Sequence, residues 1–269
     1  MSTERLTTAA LTIAGSDSCG GAGIQADLKT FAAFGVHGTS AITVLTAQNT
    51  LGVQEVVMVP PDTVRAQLTS ILADLPVRAA KTGMLGSAAT ILAVAETLEG
   101  SAPDLHLVMD PVMVATSGAV LADEETIAAM RRLIAMAALV TPNTRELAAL
   151  SGLPVDSAAQ MRVAGQRLLE HGCRAVLLKG GHLAGQEVTD VLITSTGERD
   201  WSHPRLPGEF HGTGCTLSAA LAACLALGAD LESAADQAIG FLQDSMQAGR
   251  LPLAGKLVLL GQAPRPGAA

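Results

Sequence analysis

A mostly parallel β-sheet covered by helices on both faces is the fold class this sequence predicts, and three observations carry it. Short β-rich runs alternate with Ala- and Leu-rich stretches of helical length from residue 9 to residue 260. No low-complexity linker or repeat interrupts that stretch, so residues 1–260 read as one domain, with a frayed Pro/Gly-rich tail at 261–269. Chemistry-bearing tripeptides follow the apolar runs, at the strand ends where ligands of such sheets sit.

In chain order, the apolar run Leu11–Ala14 is the first strand and stops at Gly15; a glycine-rich turn then opens the helix Ala22–Phe34. The runs Ala41–Leu45 and Glu55–Met58 predict two more strands, and Asp62–Leu75 the next helix. The strand Arg78–Lys81, the helix Ala88–Leu98 and the strand Leu105–Met109 continue the alternation. Glu124–Ala135 and Ala158–His171 read as helices around the strand Ala138–Val140, and Ala175–Lys179 and Asp190–Thr194 as the last strands. Leu217–Leu227 is almost unbroken Ala, Leu and Cys, a buried helix ended by Gly228; a final helix covers Leu231–Gln247.

Composition narrows the function. Hydrophobic residues make up 49% of the chain and mean hydropathy is +0.38. Every apolar run is nevertheless broken before the roughly 18 residues a membrane span needs. The first eight residues lack a basic-then-apolar export pattern, so a cytoplasmic protein is expected. Aromatics at 2% and a net charge of −8 argue against nucleic-acid binding, while leaving a small anionic ligand open to local amides and one or two cations. The four cysteines form no C-x-x-C pair and the six histidines no ligand spacing, so neither a zinc site nor a disulfide framework is expected.

The most informative segment is His211-Gly212-Thr213-Gly214-Cys215-Thr216, ahead of the buried helix. The first turn of a helix has unpaired N–H groups, and glycines let a phosphate approach them. Cys215 there feels the positive helix end, which favours its thiolate; a tight turn with a small buried thiol is the alternative. The glycine-rich turn Gly15 to Gly23 lacks the GK[ST] ending of a Walker loop, and Asp27 lies one turn into the helix behind it, either reaching over the rim to a ligand amine or merely solvated. Gln48, between an apolar strand and the expected turn Asn49-Thr50, offers a donor and an acceptor in one plane, suited to a heteroaromatic ring edge or to turn capping. Asp110, Asn143 and Glu146 follow strands; carboxylates and amides of this type hold Mg²⁺ largely through water, and Asn143 with Glu146 also spells a capping box. Lys179, before Gly180-Gly181, can bring one positive charge to a phosphate or simply solubilise a strand end.

Taken together, Leu11–Asp17, Gly20–Thr30, Ala47–Thr50, Lys81–Leu85, Asp110–Met113, Thr141–Asn143, Lys179–His182 and His211–Thr216 resemble, in collinear order, the hydroxymethylpyrimidine/phosphomethylpyrimidine kinases of the ribokinase-like superfamily. The resemblance implies a three-layer α/β/α sandwich. It implies ATP- and Mg²⁺-dependent phosphorylation of 4-amino-5-hydroxymethyl-2-methylpyrimidine and then of its monophosphate, by a homodimer. It places Gln48, Asp27, Met84, Gly15 and Val112 around the pyrimidine. Cys215 takes the place of the aspartate base of most ribokinase relatives, beside the Gly212, Thr213 and Gly214 amides. Asp110 and Glu146 then belong near Mg²⁺, with Asn143 and Lys179 near the nucleotide. Two departures, Ala115-Thr116-Ser117-Gly118 where relatives often have a lysine, and Pro207-Gly208-Glu209-Phe210 where many have Lys and Asn, remove phosphate contacts and bear mainly on the second phosphorylation. Pyridoxal kinase, or a non-catalytic pyrimidine-binding protein on the same scaffold, are the competing readings.

Overall fold

The computed structural model describes residues 5–113 and 123–263. Nine strands form one sheet in the order β3-β2-β1-β4-β5-β6-β7-β8-β9. These are β1 (Ala9–Asp17), β2 (His37–Asn49), β3 (Gly52–Met58), β4 (Val77–Thr82), β5 (His106–Met109), β6 (Leu139–Val140), β7 (Ala175–Leu178), β8 (Glu187–Thr194) and β9 (Gly197–Pro204). The six strands from β2 to β7 run parallel, while β3 at one edge and the β8–β9 hairpin at the other are antiparallel.

The parallel strands are apolar on both faces because both faces are covered. Leu11 and Ile13 point into one core with residues of α2 (Pro61–Asp74), α3 (Ala88–Ser101), α4 (Glu124–Met136), α5 (Thr144–Ser151) and α6 (Ala158–Leu169). Ala10, Val108 and Leu139 point into the other, with α1 (Gly23–Ala33), α7 (Thr213–Ala226) and α8 (Leu231–Gln247). Thr216–Ala226 of α7 is buried all round, which explains its near lack of polar residues. The helix ends in a Schellman pair, Gly228 N–H to Leu225 O and Ala229 N–H to Cys224 O, with Gly228 at φ +87° as the sequence predicts. Among the described residues no helix is long and apolar enough to cross a membrane.

Several boundaries differ from expectation for identifiable reasons. The helix expected from Leu217 begins at Thr213, since two glycines and a threonine carry no apolar signal. β2 runs on through Asn49, so Gln48 lies in a strand and the turn comes at Thr50-Leu51. Helix α5 follows Asn143, whose side chain and that of Glu146 complete the capping box. Strand β9 is polar and largely exposed, which hides it from an apolar-run reading. A separate ribbon pairs β10 (Glu209–His211) with β11 (Leu257–Leu259), tying the C-terminal segment to the approach to α7. The start of the expected tail is pinned: Gly261 N–H donates to Ser245 O and Gln262 Nε2 to Thr216 Oγ1. Residues 264–269, and the Thr116 departure, lie outside the described residues.

Candidate active site

Two cavities meet along the carboxyl rim of the parallel strands. The smaller, about 80 Å³, is lined by Gly15, Gln48, Met84, Val112, Gly23 and Cys215, among others. The larger cleft, about 590 Å³, is lined by Asp110, Asn143, Glu146, Lys179 and Gly212 to Cys215, and extends to an end walled by Val188, Phe210, Leu242 and Met246. Ala22, Val112 and Cys215 belong to both walls, so the thiol stands at the junction.

Local irregularities build the small cavity. β2 bulges opposite Gly15 of β1, where an added Cβ would come within 2.8 Å of Met84 Cε. β3 bulges at Gln54 opposite the Ala47–Gln48 step of β2, and the buried Gln48 side chain turns inward between exposed Ala47 and Asn49. The Gln48 amide lies 3.3 Å from His211 Nε2 and 3.4 Å from Thr46 Oγ1. His211 Nε2 in turn is 2.9 Å from Asp17 Oδ2. Burial by itself would raise the Asp17 carboxyl, but hydrogen bonds from His211, Cys19 and the Cys19 and Ala22 amides hold it down at about 2. Asp17 and His211 stand 194 positions apart in motifs that no local spacing links, so only the fold brings them together.

The large cleft has the character of an anion site backed by carboxylates. No side chain caps α7, and Gly212 enters it at φ +82°, leaving the Thr213, Gly214 and Cys215 turn on the cleft wall. Lys179 Nζ is 2.9 Å from Asp110 Oδ1 and 3.8 Å from Glu146 Oε2. Burial opposes the Lys179 charge, but the two carboxylates raise its pKa and keep it an ammonium. Burial pushes the Glu146 carboxyl up to about 7 despite Lys179, and the Asp110 charge adds to the rise. Two carboxylates facing one lysine leave surplus negative charge on an all-oxygen donor set. That set fits a hard divalent cation accompanying phosphates.

Two expectations are overturned. Asp27 does not line the acceptor cavity: it is fully buried behind it, its carboxylate 2.9 Å from Lys81 Nζ and 2.6 Å from Thr12 Oγ1. Burial opposes the Lys81 charge, and the Asp27 carboxylate more than restores it, so the pair is ionic. Asp27→Ala is therefore expected to strand a buried ammonium and cost about 3–5 kcal/mol in urea unfolding, whereas the apolar double replacement Asp27→Leu/Lys81→Met costs far less. Nor is Cys215 a ready thiolate. Burial pushes its thiol up to about 11; Asp27 and Asp110 add to this, against Lys81 and a hydrogen bond from the Gly23 amide. The thiol is therefore held largely protonated near neutral pH, so alkylation of the Cys215 peptide, followed by mass spectrometry, should be slow at pH 8 and speed up as the pH rises.

The chain is matched from residue 17 to residue 257 by the family model described as phosphomethylpyrimidine kinase. It is 46% identical over 248 residues to the hydroxymethylpyrimidine/phosphomethylpyrimidine kinase of Streptomyces coelicolor, covering 91% of this chain and 90% of that protein. A phosphomethylpyrimidine kinase structure from Clostridium difficile superimposes with a TM-score of 0.78 at 38% identity, over 88% of this chain and 98% of the other. The pyridoxal kinase of Staphylococcus aureus in complex with AMP-PCP and pyridoxal gives 0.87 at 31% identity, over 97% and 95%.

Proposed function

The chain belongs to the phosphomethylpyrimidine kinase family and is a phosphotransferase of thiamine biosynthesis, and we propose that its two joined cavities hold the acceptor and ATP on either side of Cys215. The single observation that carries this reading is the position of that thiol, common to both walls at the mouth of an uncapped helix.

The aminopyrimidine occupies the small cavity, with the Gln48 amide against its polar edge and Met84 and Val112 against its faces. Its hydroxymethyl group then points to the junction. In the large cleft the triphosphate ends at the Gly212 to Cys215 amides, with Lys179 as the mobile-phosphoryl cation and Asn143 beside it. Phosphoryl transfer asks mostly for alignment and charge stabilisation, and this arrangement offers both. Asp110 and Glu146 would hold Mg²⁺, partly through water, and the ion would supply positive charge to the phosphates. The Gly23 amide, the α7 terminus and Lys81 all favour the Cys215 thiolate that accepts the hydroxyl proton. The same site serves the monophosphate in a second round, where the segment Pro207 to Phe210, with Gly208, Glu209 and Phe210 on the cleft wall, stands in place of one that carries Lys and Asn in many relatives.

We read residues 1–260 as one kinase domain. The exposed edge of β2 and β3 carries Leu45, Leu51, Val56, Val57 and Met58, a surface suited to a homodimer, which light scattering would weigh directly. A cytoplasmic protein agrees with its four free cysteines.

Likeness to pyridoxal kinases makes the acceptor the point to test. A coupled ADP assay with Mg·ATP should give the larger kcat/KM for the hydroxymethylpyrimidine than for pyridoxal, and turnover of the pyrimidine monophosphate as well. Preference for pyridoxal would overturn the substrate assignment, and binding without ADP release would overturn catalysis.

A further inference from the structure

Asp17 Oδ2 is oversubscribed. Four donors converge on this one oxygen: the Cys19 thiol at 3.3 Å, the Gly21 amide at 3.1 Å, the Ala22 amide at 2.8 Å and His211 Nε2 at 2.9 Å. A carboxylate oxygen offers about two lone-pair directions. Gln48 adds a second tension, because its amide meets His211 Nε2 on one side while Thr46 Oγ1, already donating to Ser16 O at 2.9 Å, has no proton left for it on the other. Turning the amide so that its oxygen faces the imidazole and its nitrogen faces Thr46 removes that tension. Asp17 Oδ2, Cys19 Sγ and His211 Nε2 then form a cluster of Lewis-basic atoms, with the Gln48 oxygen turned towards the imidazole.

The atoms of Asp17, Cys19 and His211 all lie within 4.8 Å of one another. Four-coordinate zinc, with bonds of about 2.0–2.3 Å, spaces its ligands by about 3.3–3.8 Å. The Asp17 Oδ2–Cys19 Sγ contact of 3.3 Å and the Asp17 Oδ2–His211 Nε2 contact of 2.9 Å lie within about half an ångström of that range. We propose that Asp17, Cys19 and His211, with Gln48 as fourth ligand, form a binding site for a borderline-soft divalent cation such as Zn²⁺ on the wall of the acceptor cavity. The chemistry balances simply. The Cys19 thiol loses its proton to solvent, the imidazole carries its proton on Nδ1 so that Nε2 can ligate, and no electron moves. One cation replaces the two hydrogens that crowd Asp17 Oδ2, leaving the Gly21 and Ala22 amides as its remaining donors. A mixed sulfur, nitrogen and oxygen set selects this class of metal over Mg²⁺, which the all-oxygen pair Asp110 and Glu146 suits instead.

The site bears on function through Gln48. Drawn onto the metal, its amide no longer presents the same edge to a ring in the small cavity, so the cation competes with the acceptor. The Cys19 side chain lines neither cavity, so Cys19→Ala removes a metal ligand without touching the acceptor.

Co²⁺ serves as the spectroscopic probe and Zn²⁺ as its competitor, with nucleotide left out so that phosphates do not bind the metal. The expected result is one Co²⁺ per chain with a thiolate-to-cobalt absorption in the near ultraviolet, displaced by Zn²⁺. Cys19→Ala should lose that absorption and bind about tenfold or more weakly, while Cys215→Ala retains it. Zn²⁺ should weaken equilibrium binding of the pyrimidine alcohol to the parent chain and leave Cys19→Ala unaffected. Absence of stoichiometric Co²⁺ binding, or an absorption that survives Cys19→Ala and disappears in Cys215→Ala, would overturn the site. A thermal melt of metal-free Cys19→Ala matching the parent chain shows that any loss is not a folding defect, and a fall in that melt moves the test to Cys19→Ser.

Discussion

Cys215→Ala is expected to lower kcat for the pyrimidine alcohol by about 10²–10⁴-fold with KM little changed, the loss that follows removal of a positioned proton acceptor. The residue touches both cavities, so a purely steric wall would show a different signature: truncation would enlarge the acceptor cavity and act on KM. Cys215→Ser separates these further, since a hydroxyl fills nearly the same space but is a far weaker acid. It should remain as slow as the alanine variant. Steady-state kinetics with Mg·ATP in excess reads both parameters. A variant that keeps kcat within a few-fold of the parent would remove the base role, leaving Cys215 as a wall residue and the amides of α7 as the chief source of acceleration.

Gly212→Ala is expected to be at least as damaging, and through the backbone. Gly212 sits at φ +82°, a region L-residues rarely occupy, and a Cβ built there falls 1.9 Å from Gly21 O. Neither partner is a flexible side-chain tip: one is the entrance of α7, the other the loop leading into α1. Relief therefore moves both helix starts, the two uncapped N-termini that face the cavities. The strain alone is worth about 1–3 kcal/mol. Displacing donors by an ångström costs about 10²-fold in rate on top of that. Nucleotide affinity measured by calorimetry and turnover measured by ADP release should fall together, and thermal unfolding should move to lower temperature. Gly240→Ala makes the control, because Gly240 lines neither cavity and a Cβ there meets nothing within 4 Å.

Much of this site was legible along the chain because its residues come in local packets at strand ends. A helix start rich in glycine, a capping box and a lysine before two glycines each carry their geometry within four or five positions. Asn143 and Glu146 illustrate this best: three residues apart, they are found capping one another as the spacing predicts. Asp27 shows the opposite. Its place on the first turns of a helix left two directions open, and the choice between solvent, ligand and core rested on Lys81, 54 residues on.

The sequence by itself determined the alternation of strands and helices, the parallel sheet and the identity of the rim segments, since periodicity and turn chemistry act over a few residues. It also identified the family. Only the tertiary structure decided what each ionisable group experiences. Cys215 is held protonated by burial beside Asp27 and Asp110, and Asp17 is held ionised by His211 from the far end of the chain. Desolvation and Coulomb interactions depend on distances in space, and the fold sets these between residues that sequence spacing leaves unrelated.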